Sequence, residues 1–352
     1  MLKILFGCGD DWMRFISIND VTPGMVIVKN LYDEDGRKLL GRNKKLTAPL
    51  IDKIRYLGYP GVYIYDCYSE YEELSEIIDD DERMRMLRTL REQNLDQIFF
   101  LSNKIVDDLL DLKEIQLDFN TLRHYHNSTY EHSLNVAIAA VACGIGLKLR
   151  NEQLRELALA ALFHDIGKEC IPLAILDKPG PLDANERAII NCHPQFGYEM
   201  VKARPEFPHA VCLSILQHHE NDDGSGYPSG LSKEHIVLYA RIIHVADVFD
   251  ALLSKRAYKE EYSALETIEY LMANCDHMFS YPVVTTFLNY ITVYPVGVTV
   301  TLSTGEKAHV IKNRSEFPLR PVVMTEDGRT LDLALDHNYL NITILGNKPA
   351  CF

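Results

Sequence analysis

Apolar residues recur at helical spacing from about residue 118 to residue 290, which predicts that the middle of the chain folds as a helical bundle. Side chains that can bind metals stand within it at intervals of 25 to 32 residues. They are His132, the pair His164 and Asp165, His193, the pair His218 and His219, and Asp247. Each interval accommodates one helix and its connection. We therefore expect these residues to project from different helices into one bundle centre.

A lone histidine in a helix is more often structural than a metal ligand. The recurrence of an HD pair, an HH pair and a later aspartate favours a metal site instead. Five imidazoles and two carboxylates could hold two divalent metal ions, and mixed N and O ligation suits Fe, Mn, Zn, Co or Ni. Asp165 could bridge the two ions. Two ions about 3.5–4 Å apart can share a hydroxide and polarise a phosphoryl oxygen, so we predict phosphoester hydrolysis.

Three cationic side chains follow the proposed ligands in the sequence. Lys168 stands one turn after His164, while Arg256 and Lys259 follow Asp247 and lie three residues apart. Together they could bind the oxygens of a phosphate group. An ordinary surface lysine at a helix end is the alternative for Lys168.

The segment 222–228, DDGSGYP, directly follows the HH pair and contains two glycines and a proline, which exclude a helix. We expect a rigid loop near the proposed metals, whose backbone can approach a ligand closely. A plain surface turn is the alternative. The loop lacks the preceding strand and the Lys-Ser/Thr pair of a phosphate-binding P-loop.

The charge balance is acidic, since 36 Lys and Arg against 50 Asp and Glu give a formal charge of −14. A broad basic surface for a nucleic-acid polymer is therefore not expected, although a local site could still bind a small anion. The eight cysteines form no Cys-x-x-Cys pair, as is typical of a reduced cytoplasmic protein. The most apolar stretch, residues 134–149, is too short to cross a membrane and predicts a buried helix.

The fold class we predict is mainly α, with smaller units on either side of the bundle. The pattern of residues 1–68 predicts an accessory α/β domain with a helix after Thr47. Residues 69–117 are predicted to form an acidic amphipathic linker helix. The linker helix could also be the seam of a homodimer. The bundle domain covers residues 118–290. Apolar residues that alternate with other residues, together with turn signals, predict a small antiparallel β-barrel or sheet over residues 291–352.

With these residues assembled, the sequence resembles the HD-GYP family of cyclic di-GMP phosphodiesterases, a branch of the HD phosphohydrolase superfamily. The matching segments cover about half the chain. They are YEHSLNVA around His132, FHDIGKECIPLAILDKPGPL at 163–182, CHPQFGYEM around His193, HHENDDGSGYPSGL at 218–231 and RIIHVADVFDALLSKRAYK at 241–259.

The resemblance implies an all-helical catalytic domain with a metal centre, often of iron or manganese, that opens cyclic di-GMP to linear pGpG and sometimes to GMP in bacterial signalling. It implies that the seven residues above are the metal ligands, with Asp165 bridging, and that Asp165 and Lys168 are catalytic. It implies substrate contacts from Lys168, Asp223, Gly224, Gly226, Tyr227, Pro228, Arg256 and Lys259. Family members with a third metal carry a glutamate where this chain has Ser128, so we expect two metals.

Two other readings stay open. The same chemistry could act on another cyclic dinucleotide or nucleotide, or the chain could be a non-catalytic module that binds a dinucleotide or a partner protein. Loss of a ligand would favour the non-catalytic reading, and the sequence retains the full ligand set. The flanking regions could contact signalling partner proteins.

Overall fold

The computed structural model describes residues 13–32, 37–59, 61–65, 78, 80–92, 94–112, 115–118, 129–253, 262–294, 296, 298–314 and 316–345. Packing divides the chain into two compact units. One holds the described residues before 77 together with residues 294–345, and the other is the helical unit within 77–293.

Of the α-helices in the described residues, one lies within the N-terminal segment and the others lie between residues 80 and 288. They are α1 (Ala48–Tyr56), α2 (Asp80–Arg91), α3 (Leu95–Leu110), α4 (Thr129–Gly146), α5 (Asn151–Phe163), α6 (Leu173–Leu176), α7 (Ala184–Ile190), α8 (His193–Val201), α9 (His209–Gln217), α10 (Leu238–Leu253), α11 (Ala264–Ala273) and α12 (Tyr281–Leu288). Short 3₁₀ helices span Ile166–Cys170 and Lys233–His235.

Strands lie mainly towards the two ends of the chain. They are β1 (Met13–Ser17), β2 (Leu31–Tyr32), β3 (Lys38–Leu40), β4 (Gly61–Tyr65), β5 (Leu117–Asp118), β6 (Ile291–Thr292), β7 (Thr299–Leu302), β8 (Lys307–Lys312), β9 (Val322–Thr325), β10 (Thr330–Asp332) and β11 (Ile344–Leu345).

Helix α4 is the centre of the helical unit, and its residues from 133 to 144 are all buried. It packs against α5 and α10, and also against α3 and α12. A helix that is apolar on every side must lie inside a protein core or in lipid. Its neighbours here supply the core, as predicted for this stretch. None of the described helices is long and apolar enough to span a bilayer.

The amphipathic segment before the bundle forms two helices, α2 and α3. Helix α3 begins after Asn94, whose side chain accepts a hydrogen bond from the Gln97 amide. Its buried residues include Ile98, Ile105 and Leu109, spaced to form one apolar face. Both α2 and α3 pack on α4, so this segment contributes to the helical unit.

The predicted C-terminal β-rich region is confirmed as a five-stranded antiparallel sheet in the order β10-β9-β8-β7-β11. Strand β7 alternates exposed and buried residues, as expected for a sheet with one face packed. Turns at Gly305 and Gly328 join its hairpins, and both glycines have positive φ, at 84° and 87°.

In the N-terminal segment, β1 pairs antiparallel with β4, and β2 pairs with β3. Helix α1 lies between β3 and β4 in the chain and buries Ile51 and Ile54. Thr47 precedes this helix with an extended backbone, but its side chain makes no capping hydrogen bond. Pro49 stands in the first turn, where a missing N–H costs little.

Candidate metal centre

The seven predicted ligands come together from five parts of the helical unit. His132 lies on α4 and Asp247 on α10, while His164 ends α5 and Asp165 follows it. His193 begins α8, and the His218–His219 pair follows the last turn of α9. Helix packing therefore brings together ligands that are far apart in the sequence, as their helix-length intervals predicted.

Short distances join the ligand atoms. His132 Nε2 lies 3.1 Å from Asp247 Oδ1, and His193 Nε2 lies 3.3 Å from Asp165 Oδ1. His219 Nδ1 lies 3.8 Å from Asp247 Oδ2. Three overlapping groups each bring three ligand atoms within 4.8 Å of one another, and between them they use all seven residues. The groups are His193, His218 and His219; His132, His164 and Asp247; and His164, Asp165 and His218.

Backbone carbonyls fix the tautomer of three of the histidines. The Nδ1 atoms of His164, His193 and His218 each lie 2.7–2.8 Å from the carbonyl oxygen three residues earlier. A carbonyl only accepts, so each Nδ1 carries the hydrogen and donates it. The opposite nitrogen, Nε2, is left with its lone pair directed at the centre, which is the form that binds a metal.

Several buried polar atoms at the centre lack the hydrogen bonds that burial requires. His164 Nε2 and Asp165 Oδ1 have no hydrogen-bond partner, although such atoms are costly to bury alone. His193 Nε2 and His218 Nε2 face each other at 3.2 Å, each with a lone pair. A cation among these atoms would satisfy all of them, so the donor set fits divalent metal ions.

The charge states also suit metal binding. Burial alone would raise the pKa of Asp165, but Lys168 and His164 outweigh it and hold that pKa well below its usual range. Burial, assisted by neighbouring imidazoles, holds the pKa values of His218 and His219 well below the ordinary range of a histidine. The carboxylate is thus ionised and the two rings are neutral, the forms in which these groups ligate metals.

His132 lies between two carboxylates. Asp247 faces its Nε2, and Asp250 Oδ2 lies 2.7 Å from its Nδ1. Burial would lower the pKa of His132, but these two hydrogen-bonded aspartates raise it to about 10. Asp250 was not among the residues predicted from the sequence. The available signal was its place one turn after Asp247 on the same helix.

The DDGSGYP segment folds over His219, as expected for a loop near the ligands. The ring of Tyr227 stacks on the ring of His219, with centroids 4.8 Å apart and an interplanar angle of 30°. Burial raises the pKa of Tyr227, so its phenol keeps the proton. A Cβ on Gly226 would lie 2.3 Å from the Asn221 nitrogen, so only glycine permits the loop to return on itself.

A buried carboxylate and a half-buried guanidinium brace this loop, and neither was predicted from the sequence. The carboxylate of Glu220 accepts hydrogen bonds from the amides of Ser229 at 2.7 Å and Leu231 at 2.9 Å. The guanidinium of Arg241 donates to both oxygens of Asp222, at 3.2 and 3.1 Å. Such bidentate pairs fix geometry well. The loop is held ready before any ligand binds.

The other residues predicted to contact the substrate lie at different distances from the ligand cluster, and two of them lie outside the described residues. Lys168 Nζ lies 2.5 Å from Asp165 Oδ2, at the edge of the ligand cluster. Asp223 accepts from the Ser225 amide at 2.9 Å, which shapes the turn, and Gly224 has a positive φ of 83°. Pro228 follows Tyr227 through a cis peptide bond. Arg256 and Lys259 lie outside the described residues, as does Ser128.

Comparison with curated proteins finds relatives that share this region. The chain is 39% identical over 195 residues to "Cyclic di-GMP phosphodiesterase PA4108" of Pseudomonas aeruginosa, covering 55% of this chain and 47% of that protein. It is 46% identical over 134 residues to "Cyclic di-GMP phosphodiesterase response regulator RpfG" of Xanthomonas campestris pv. campestris, covering 38% of this chain and 35% of that protein.

A third relative carries a different substrate in its name. The chain is 32% identical over 225 residues to "3'3'-cGAMP-specific phosphodiesterase 2" of Vibrio cholerae, covering 63% of this chain and 40% of that protein. The chain thus spans less than half the length of each of these three relatives.

The model of one protein family, described as the HD domain, matches residues 105–280, which is half of the chain. The chain therefore belongs to the HD domain family.

Proposed function

We propose that this chain is a metal-dependent phosphodiesterase that hydrolyses cyclic di-GMP. The observation that carries the proposal is the meeting of five imidazoles and two carboxylates around buried atoms that lack hydrogen-bond partners. Relatives named as cyclic di-GMP phosphodiesterases at 39% and 46% identity support the substrate. The products are linear pGpG and, after a second cleavage, GMP, in bacterial second-messenger signalling.

HD domains bind divalent metals, and we assign the site two ions, of iron or manganese, with zinc, cobalt and nickel as the other fitting metals. The residues that would hold them are His132, His164, Asp165, His193, His218, His219 and Asp247, and Asp165 would be shared between the two. When bound, the metals lower the pKa of water and neutralise charge on the phosphoryl group that is attacked.

The chain's own residues bind and orient the substrate. Lys168, whose ammonium lies at the edge of the ligand cluster, contacts the phosphate oxygens, and Asp165 is the second catalytic residue. The backbone of Gly224 and Gly226 lets the substrate approach closely, while Asp223 and Pro228 hold the loop's shape. Tyr227 offers a half-buried phenol that keeps its proton and can donate it in a hydrogen bond. Arg256 and Lys259 complete the phosphate contacts.

A second candidate substrate is 3'3'-cGAMP. The relative from Vibrio cholerae that is named as specific for this dinucleotide, at 32% identity over 63% of the chain, favours it. Both substrates are cyclic dinucleotides with two phosphodiester bonds, so the same metal chemistry serves either.

The regions around the catalytic domain have proposed roles in signalling. We assign residues 1–68 and 291–352 to accessory domains that contact partner proteins, and residues 69–117 to a linker through which two copies dimerise. The catalytic domain spans residues 118–290.

The test is metal analysis and a hydrolysis assay on one preparation. We expect two metal equivalents per chain, and conversion of cyclic di-GMP to pGpG with Mn²⁺, or with Fe²⁺ under anaerobic conditions. A parallel assay with 3'3'-cGAMP ranks the two substrates by kcat/KM. Asp165→Ala should abolish turnover. A fully metal-loaded chain that cleaves neither dinucleotide would refute the proposal.

A further inference from the structure

A chain of hydrogen-bonded side chains runs from helix α2 to the ligand His132. Arg83 on α2 donates from its guanidinium to Asn135 Oδ1. Asn135 Nδ2 donates to Asp250 Oδ1 at 2.6 Å, and Asp250 Oδ2 lies 2.7 Å from His132 Nδ1. Asn135 and Asp250 are only 1% and 3% exposed, so their polar atoms need hydrogen-bond partners, and these bonds are among those that supply them.

The chemistry of the two ends fixes the direction of every bond. A guanidinium only donates and an ionised carboxylate only accepts. The Asn135 amide must therefore turn its oxygen to Arg83 and its nitrogen to Asp250. His132 must carry its hydrogen on Nδ1 and donate it to Asp250. Its Nε2 then points to the side on which Asp247 and Asp165 lie, at 3.1 and 3.7 Å. A cation bound there would take the place of the proton that Asp247 stabilises on Nε2 of the metal-free ring.

Charge along the chain reinforces this arrangement. The positive charge of Arg83 polarises the Asn135 amide, which makes the amide a better donor to Asp250. A carboxylate hydrogen-bonded behind a ligating imidazole fixes its orientation and increases its basicity as a ligand. Each member thus affects how strongly His132 Nε2 can bind a cation.

We propose that Arg83, Asn135 and Asp250 are positioning residues for His132, and that Arg83 makes the affinity of the metal centre depend on the placement of helix α2. The inference rests on the proposed metal site. Helix α2 precedes residues 105–280, the part that matches the HD family. A displacement of α2 that separates Arg83 from Asn135 would loosen the hold on His132. The position of a segment outside the matched region would in this way affect metal binding at the catalytic centre.

The experiment is titration of metal-free protein with Co²⁺, followed by its visible absorption, which reports both affinity and ligand geometry. Asp250→Asn should weaken Co²⁺ binding by about 10- to 100-fold, the usual cost of losing such a partner. Arg83→Met, one step further from the ligand, should weaken it by about 3- to 10-fold. Arg85→Met is the matched control, because Arg85 is exposed on the same helix.

Two further readouts separate positioning from a general loss of stability. Arg83→Lys retains a donor and should recover most of the lost affinity, with the spectrum of the wild type. The double variant Arg83→Met/Asp250→Asn should bind Co²⁺ no more weakly than Asp250→Asn alone, because residues acting in one chain are not additive.

The proposal is overturned if Arg83→Met binds Co²⁺ like Arg85→Met, or if the two losses multiply in the double variant. It is also overturned if the wild-type protein takes up no Co²⁺. If the variants lose affinity as expected but the loaded wild type cleaves no cyclic dinucleotide, the proposed function fails while the positioning chain stands.

Discussion

The backbone at Gly167 lies against the carbonyl group of His193, so that a Cβ on Gly167 would come within 1.9 Å of that oxygen and 2.5 Å of the Gly197 nitrogen. Gly167 belongs to the 3₁₀ helix just after Asp165, and His193 begins α8. This close packing holds the Asp165 segment beside His193. A side chain of any size at residue 167 would separate two predicted ligands.

Gly167→Ala should therefore lower both stability and metal binding. We expect the free energy of unfolding to fall by about 1–3 kcal/mol, the usual range for overpacking, and Co²⁺ affinity to fall with it. Chemical denaturation and metal titration measure the two effects. Gly41→Ala is the control, since the nearest atom to its Cβ is a side-chain oxygen at 3.9 Å. Equal stability of the two variants would contradict the packing argument.

Gly226→Ala should impair catalysis while the metals stay bound. The new Cβ would meet the Asn221 nitrogen at 2.3 Å and the Glu220 Cα at 2.5 Å, so the loop that carries Tyr227 must shift. A shift of about 1 Å can cost roughly 100-fold in rate. We expect a loss of that order in kcat/KM for cyclic di-GMP, with unchanged metal content. Ser225→Ala, in the same loop and exposed, should retain most activity. A Gly226→Ala protein with wild-type kcat/KM would be incompatible with a rigid loop.

Arg241→Met should loosen the same loop from its other side. It removes the bidentate contact to Asp222 and leaves a buried carboxylate without that partner. We expect KM for cyclic di-GMP to rise and the loop to become sensitive to limited proteolysis. Arg155→Met is a suitable control, because Arg155 pairs with Asp107 on the surface. Identical digestion patterns for the two variants would show that Arg241 does not brace the loop.

Acid should destabilise the metal-free protein in part through His244. Burial lowers the pKa of this histidine to about 4, below its ordinary 6.5. Between these values the unfolded chain binds a proton that the folded chain does not, so stability is lost as pH falls. The loss reaches about 3 kcal/mol at the lower end. His244→Gln should show a shallower decline between pH 6.5 and 4 in urea unfolding. His235→Gln, at an exposed position, should keep the wild-type slope.

Chelation of the metals should lower the melting temperature of the wild-type protein. A ligand present at 100 times its Kd stabilises the folded state by about 2.7 kcal/mol, and metal-free protein also retains the unpartnered atoms of His164 and Asp165. Differential scanning fluorimetry with and without a chelator measures the shift. Asp165→Ala should show a much smaller one. If chelation lowered the melting temperature of Asp165→Ala as much as that of the wild type, the stabilising metal would have to bind elsewhere.

The sequence by itself determined the order and type of the parts. Helical periodicity predicted the bundle, and ligands at intervals of one helix and one connection predicted a shared centre. Alternation and Gly turns predicted the C-terminal sheet. These features are local, because each depends on residues within a few turns or one hairpin of one another. The family resemblance, carried by motifs around the same ligands, agreed with the HD domain match.

Only the tertiary structure decided which further residues serve the centre. His132 and Asp250 are 118 residues apart, and Arg83 and Asn135 are 52 apart, so no periodicity within one element joins them. Long-range partners of a ligand are fixed by which helix faces meet. That meeting is a property of the packed core rather than of any segment of the chain.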